Sequence, residues 1–201
     1  MTIRKLGTAL PAALSGVFLV ALLGCTGRDL HSVPVLTRLT PNQAPVGATV
    51  VITGTSFKDI QTVSFNGYAA GYFHVDSPTQ ISATVPGDAC TGAVEVQNPA
   101  GLGDSSRDGG GPFVVVPAIT SAQPQPFSGP AGTLLTLTGS GFFGTTGVAI
   151  GTEAAGQPGS STFTYVDPNT VTVVVGANAT TGPVVLYSSG LTATGPVFTI
   201  Q

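Results

Sequence analysis

From Val50 onward, apolar residues recur at every second position: Val50 and Ile52, Val63 and Phe65, Ile81, Ala83 and Val85, then Val94 and Val96. The alternation returns with Leu135 and Leu137, Val171, Val173 and Val175, Val184 and Leu186, and finally Phe198 and Ile200. Polar or small residues fill most of the intervening positions, with Val51, Val174 and Val185 the exceptions, and no stretch sustains the i, i+3, i+4 spacing of a helix. A period of two predicts strands with one face in a core and the other in solvent. Several such strands within about eighty residues predict a β-sandwich. Asn66-Gly67 predicts a tight hairpin turn, because both residue types tolerate the positive φ that such a turn needs.

The pattern is written twice. Pro41-Asn42-Gln43-Ala44-Pro45-Val46-Gly47 returns as Pro126-Phe127-Ser128-Gly129-Pro130-Ala131-Gly132. In the same register, Ile52-Thr53-Gly54-Thr55-Ser56-Phe57 matches Leu137-Thr138-Gly139-Ser140-Gly141-Phe142, and Val63 matches Val148. After an insertion in the second copy, Phe73 to Pro86 aligns with Phe163 to Gly176, and Thr91-Gly92 with Thr181-Gly182. Two tandem immunoglobulin-like sandwiches follow, over residues 35–117 and 118–201. They are joined at Val115-Val116-Pro117-Ala118, where Pro117 predicts a stiff linker and a semi-rigid rod. Gly54 and Gly139 are expected to take a bulge or positive-φ conformation that turns Phe57 and Phe142 back into the ends of the cores.

These motifs resemble a known family. Pro-x-x-[Ala/Gly]-Pro-x-Gly followed by [Ile/Leu]-Thr-Gly-x-x-Phe is similar to the IPT/TIG family of immunoglobulin-like domains. Gln80 to Pro86, Thr91 to Val96 and Asn98-Pro99-Ala100-Gly101 look like that family's second half. The second copy departs from it in having Val175-Gly176-Ala177-Asn178 where the first has Val85-Pro86-Gly87-Asp88. The resemblance implies an all-β fold and a wide range of settings: bacterial surface proteins, receptor ectodomains, carbohydrate-active enzymes and transcription factors. Fold alone does not choose among them.

The N-terminus follows a different pattern. Residues 1–24 carry Arg4 and Lys5 and then the apolar stretch Ala9 to Leu23, which predicts a signal peptide. Leu22-Leu23-Gly24-Cys25 resembles the lipobox at which bacterial lipoprotein signal peptidase cleaves. Cys25 is therefore the expected lipidation site, with residues 25–34 as a lipidated tether. Two or three acyl chains, at about 0.8 kcal/mol per buried methylene, make a durable anchor. Thr26 stands where an aspartate would resemble an inner-membrane retention signal, which favours the outer membrane or cell surface. The expected partners are the membrane, through the lipid, and a protein or polysaccharide at the cell surface. No cofactor other than the acyl lipid is expected.

Charge narrows the function classes. Charged residues make up 7% of the chain, against 28 Gly and 16 Pro, so the polar surface is built from Thr, Ser, Asn and Gln. Beyond the leader the cations are Arg28, Arg38, Lys58 and Arg107, and none, His included, lies between Ala118 and Gln201. Nucleic-acid binding needs clustered cations to release counterions, so no nucleic-acid partner is expected.

Candidate chemistry is sparse, and the chain reads as non-enzymatic. His31 falls in the tether and His74 on the solvent side of a strand, opposite Phe73. Cys90 sits in a turn-like segment with no base nearby in sequence. The acids occur singly except for Asp104 and Asp108, in the polar stretch Gly103 to Pro112. That stretch reads as a flexible hairpin loop, and its carboxylates are the weak candidates for calcium. With no Trp in the chain, Tyr68 and Tyr72 beyond the Asn66-Gly67 turn are the weak candidates for a sugar-binding platform. The first reading is a membrane-anchored spacer, scaffold or adhesion module. The alternative is an accessory carbohydrate- or calcium-binding lipoprotein.

Overall fold

A computed structural model describes residues 32–201 of the chain. Residues 1–24, where a signal peptide is expected, and Cys25 and His31 lie outside the described residues.

The first sandwich begins with β1 (Val35–Thr40), β2 (Gln43–Ala44), β3 (Thr49–Thr55), β4 (Thr62–Phe65) and β5 (Tyr68–Ala69). It continues with β6 (Phe73–Ser77), β7 (Gln80–Thr84), β8 (Val94–Asn98) and β9 (Gly101–Asp104). One helical turn, α1 (Ser105–Asp108), and β10 (Val114–Val115) complete it. One sheet has the order β1-β3-β7-β6, the facing sheet β5-β4-β8-β9, and β10 pairs in parallel with β2. The second sandwich comprises β11 (Ala118–Gln123), β12 (Ser128–Gly129), β13 (Leu134–Ser140), β14 (Thr145–Ile150), β15 (Thr162–Asp167), β16 (Thr170–Val174), β17 (Gly182–Ser188) and β18 (Leu191–Ile200). Its sheets run β11-β13-β16-β15 and β12-β18-β17-β14.

Each sandwich closes over its own core, made of the alternating apolar positions. Val50, Ile52, Val63, Phe65, Ile81, Ala83, Val94 and Val96 are buried in the first. Leu135, Leu137, Val148, Val171, Val173, Val184, Leu186 and Phe198 are buried in the second. The repeat extends to individual hydrogen bonds. Gly47 N donates to Val85 O and Gly132 N to Val175 O, while Gly54 N donates to Thr79 O and Gly139 N to Asn169 O.

Asn66 and Gly67 take φ of 50° and 86°, the hairpin geometry that their sequence predicts, and join β4 to β5. Phe57 and Phe142 are buried as expected. The glycines that admit them work differently from the expectation. Gly54 and Gly139 lie inside β3 and β13, and the bulge is on the facing strand, at Leu36/Arg38 and Ile119/Ser121. Positive φ falls two residues later, on Ser56 at 64° and Gly141 at 70°. Glycine is required by close approach: an added Cβ would stand 2.0 Å from Val35 O at Gly54 and 1.9 Å from Ala118 O at Gly139, and 2.7 Å from the tip of the Phe57 or Phe142 ring.

The Gly103 to Pro112 stretch is an ordered turn rather than a flexible loop. Asp104 caps α1 by accepting from Ser106 N at 2.8 Å, and Gly109, at φ 100°, ends it. The Asp108 carboxylate accepts from Leu36 N at 3.0 Å and Asp104 N at 3.1 Å, and the buried Ser105 hydroxyl accepts from Val94 N. Ser and Asp read as loop formers in sequence because they compete for backbone donors. Here two of the donors they capture, Leu36 N and Val94 N, belong to β1 and β8, outside the stretch itself.

Candidate functional site

The described residues form one compact unit, and three of the exposed aromatic side chains, Tyr68, Phe143 and Tyr165, lie where the two sandwiches meet. Tyr68, on the short strand β5, is 39% exposed. It is placed by the Asn66-Gly67 turn and by its pairing with Phe65. Below it, the segment Pro86 to Gly92 folds back through the Ala89 N to Pro86 O bond and buries Cys90 beside the Tyr68 phenol. From the second sandwich, Tyr165 on β15 and Phe143 ahead of β14 are 39% and 42% exposed. Their rings meet edge to face, with centroids 6.4 Å apart and planes at 79°, a favoured aromatic geometry.

Phe143 is aimed outward by backbone anchors. Gly141 and Gly144 take φ of 70° and 82°, Thr145 Oγ1 donates to Phe142 O, and the Ser188 and Ser189 hydroxyls donate to Phe143 O at 3.0 and 3.3 Å. Phe142 thereby enters the core while Phe143 leaves it. A polar pair sits beside the rings and ties the sandwiches together: Asn169 Nδ2 donates to Asp88 Oδ1 at 2.6 Å. Asn169 is held by its own turn, its N–H donating to Asp167 Oδ1 at 2.8 Å.

Two phenols and the thiol at this surface favour their neutral forms. The neighbouring Cys90, through charge repulsion and then a hydrogen bond, raises the Tyr68 phenol above its ordinary range, with smaller contributions from burial and Asp88. Burial raises the Cys90 thiol, and Asp88 adds to this while the Tyr68 hydrogen bond partly offsets it. Burial also raises Tyr165, and Cys90, Tyr68 and Asp167 reinforce the shift. The surface therefore presents uncharged aromatic faces beside the Asp88 and Asn169 side chains. Such a surface can pack against the C–H face of a sugar ring and hydrogen-bond its hydroxyls. It holds no nucleophile paired with a base.

Other residues singled out in the sequence lie elsewhere. Tyr72 is 66% exposed, and the Tyr68 phenol lies against Cys90. Asp104 and Asp108 sit at α1, where their oxygens accept from backbone donors and Asp104 also meets Arg107 at 3.3 Å. Among the described residues no group of three His, Cys, Asp or Glu could hold a metal ion. His74 is exposed on β6. Phe143, Asp88 and Asn169 were not singled out in the sequence. The Phe142-Phe143 doublet carried a signal, since of two adjacent strand-end aromatics only one can enter a core.

Residues 34–113 match the family model of the IPT/TIG domain. No curated protein matches the chain. Among solved structures, the chain is similar to the surface glycan-binding protein PbSGBP-B from Prevotella bryantii, with 16% identity and a TM-score of 0.47, over 82% of this chain and 41% of that one. It is similar to SGBP-B from a complex xyloglucan utilization locus in Bacteroides uniformis, with 20% identity and a TM-score of 0.35, over 83% of this chain and 49% of that one. It is also similar to the titin Ig tandem domains A164-A165, with 10% identity and a TM-score of 0.40, over 84% of this chain and 93% of that one. The chain spans less than half the length of the two glycan-binding structures.

Proposed function

We propose that the chain is a non-enzymatic cell-envelope protein that holds a neutral polysaccharide on the aromatic surface between its two sandwiches. In this reading it is lipid-anchored at Cys25, and residues 118–201 are a second domain of the IPT/TIG kind. The observation that carries the carbohydrate reading is the convergence of Tyr68, Tyr165 and Phe143 from both sandwiches beside the Asp88–Asn169 pair. Exposed aromatics cost free energy in water unless something covers them, and here they share one rim with unspent hydrogen-bonding capacity. Polymer specificity then comes from stacking, with hydroxyl contacts fixing the ring's orientation.

The test is native affinity electrophoresis of the mature protein in gels containing neutral glucans, mannans or galactans. Retardation is expected on at least one, and Tyr165→Ala is expected to reduce it by about tenfold, or roughly 1.4 kcal/mol. Tyr165 is exposed, so this variant keeps its core. Unretarded migration on every polymer overturns the reading. The anchor has its own test in the same cells: Cys25→Ser should release the protein from the membrane fraction, and unchanged membrane retention counts against lipidation.

A further inference from the structure

The open side of the second sandwich, between β14 and β15, is built differently from the same side of the first. In the first, β5 covers the outer edge of β4 through Ser64↔Ala69 and Phe65↔Tyr68, and Ala70 packs onto the core. β14 is the counterpart of β4, since Val148 matches Val63, yet among the described residues it pairs with β17 alone. The segment between Ile150 and Thr162, which contains the insertion, forms no covering strand. It folds on itself around Glu153, whose two oxygens accept from Ile150 N at 2.7 Å and Ser161 N at 2.9 Å. Ser160 Oγ donates to Ala154 O, and Asn178 Nδ2 braces Pro158 O.

What this leaves is a cleft of about 270 Å³ between the two edge strands, lined by Thr146, Gly147, Gly156, Ser161, Thr162 and Phe163. Phe163 and Tyr165 lie two residues apart on β15 and pair with the buried Val173 and Val171, so both lean toward the gap between the sheets. Two residues of strand span roughly 7 Å. The cleft and the Tyr165–Phe143 surface are thus consecutive stations along one strand.

We infer that the cleft is a second sugar subsite, holding one ring of the same glycan chain whose next rings rest on Tyr165 and Phe143. This rests on the carbohydrate reading above. The cleft's size suits a single ring, being slightly below the roughly 300 Å³ at which pockets for drug-sized ligands begin. Its lining suits a neutral ring: Phe163 offers an apolar surface, the exposed Thr162 carries a hydroxyl, Thr146 Oγ1 keeps accepting capacity while it donates to Tyr187 O, and the free edge of β14 presents backbone donors and acceptors. No Lys, Arg or His lies anywhere in residues 118–201, and Glu153 is spent on backbone N–H groups, so nothing here would balance an acidic sugar.

The experiment is calorimetric titration of the mature protein with neutral gluco-, manno- and galacto-oligosaccharides, from disaccharide to hexasaccharide. Affinity is expected to rise by about tenfold or more with chain length once both stations are filled. Thr146→Trp and Thr162→Trp, each replacing an exposed residue that lines the cleft, should erase that rise while leaving the shortest bound oligosaccharide's affinity unchanged. Tyr165→Ala should weaken every length. If both tryptophan variants keep the wild-type dependence on chain length, the subsite is overturned and the aromatic surface stands. If no oligosaccharide binds the wild type, both readings fall together.

Discussion

At the scale of single residues, two kinds of position matter, and both turn on what a side chain would meet. Gly54 and Gly139 are required because a Cβ would press on a carbonyl oxygen of the neighbouring strand and on the phenylalanine that plugs the core. A backbone atom cannot swing aside, so the substitution must separate β3 from β1, or β13 from β11. Gly139→Ala is therefore expected to cost about 2–3 kcal/mol in urea denaturation. Gly87→Ala, where nothing lies within 4 Å of the added atom, should stay within about 0.5 kcal/mol. Equal effects at the two sites would refute the close-approach account. Phe142 and Phe143 make the complementary point: chemically identical neighbours take opposite roles because the Gly141 and Gly144 turns and the Ser188 and Ser189 hydroxyls fix which one faces out.

At the scale of elements, α1 shows how a short polar stretch becomes structure. Four residues cannot stabilise themselves as a helix. This turn persists because Asp108 satisfies two backbone donors, one of them on the buried Leu36, and because the Ser105 hydroxyl serves Val94. The acids that in sequence suggest calcium ligation are thus engaged in holding β1 and β9 to the turn. Asp108→Ala should lower stability by about 2 kcal/mol, the cost of leaving a buried N–H without its acceptor. Millimolar calcium should leave the melting temperature of the wild-type protein unchanged in differential scanning calorimetry. A calcium-dependent rise that disappears in Asp108→Ala would restore the metal reading. β14 and β15 are the other instructive elements: an insertion that folds around Glu153 replaces a covering strand and leaves an edge open.

At the scale of the molecule, two sandwiches with separate cores meet through a few polar and aromatic groups, with Asn169 and Asp88 in direct contact. Inter-domain contacts of this kind hold orientation more than they hold fold. The double variant Asn169→Ala, Tyr68→Ala is expected to leave each core folded while letting the sandwiches tumble more independently, seen as divergent backbone ¹⁵N relaxation rates in the two halves. Uniform rates in the variant would show that Pro117 and its neighbours set the orientation alone. The strands, the repeat, the paired cores and the Asn66-Gly67 turn were legible in the sequence, because alternation and turn chemistry are local properties that any reader of adjacent residues can see. The role of Gly54 was only half legible: the need for glycine was visible, its cause was not, since Val35 lies on another strand. Tyr68 was found as a candidate, but its company was not. Tyr165, Phe143, Asp88 and Asn169 reach it through the packing of one repeat against the other, and a period of two says which face a side chain takes, never which distant side chain it will meet.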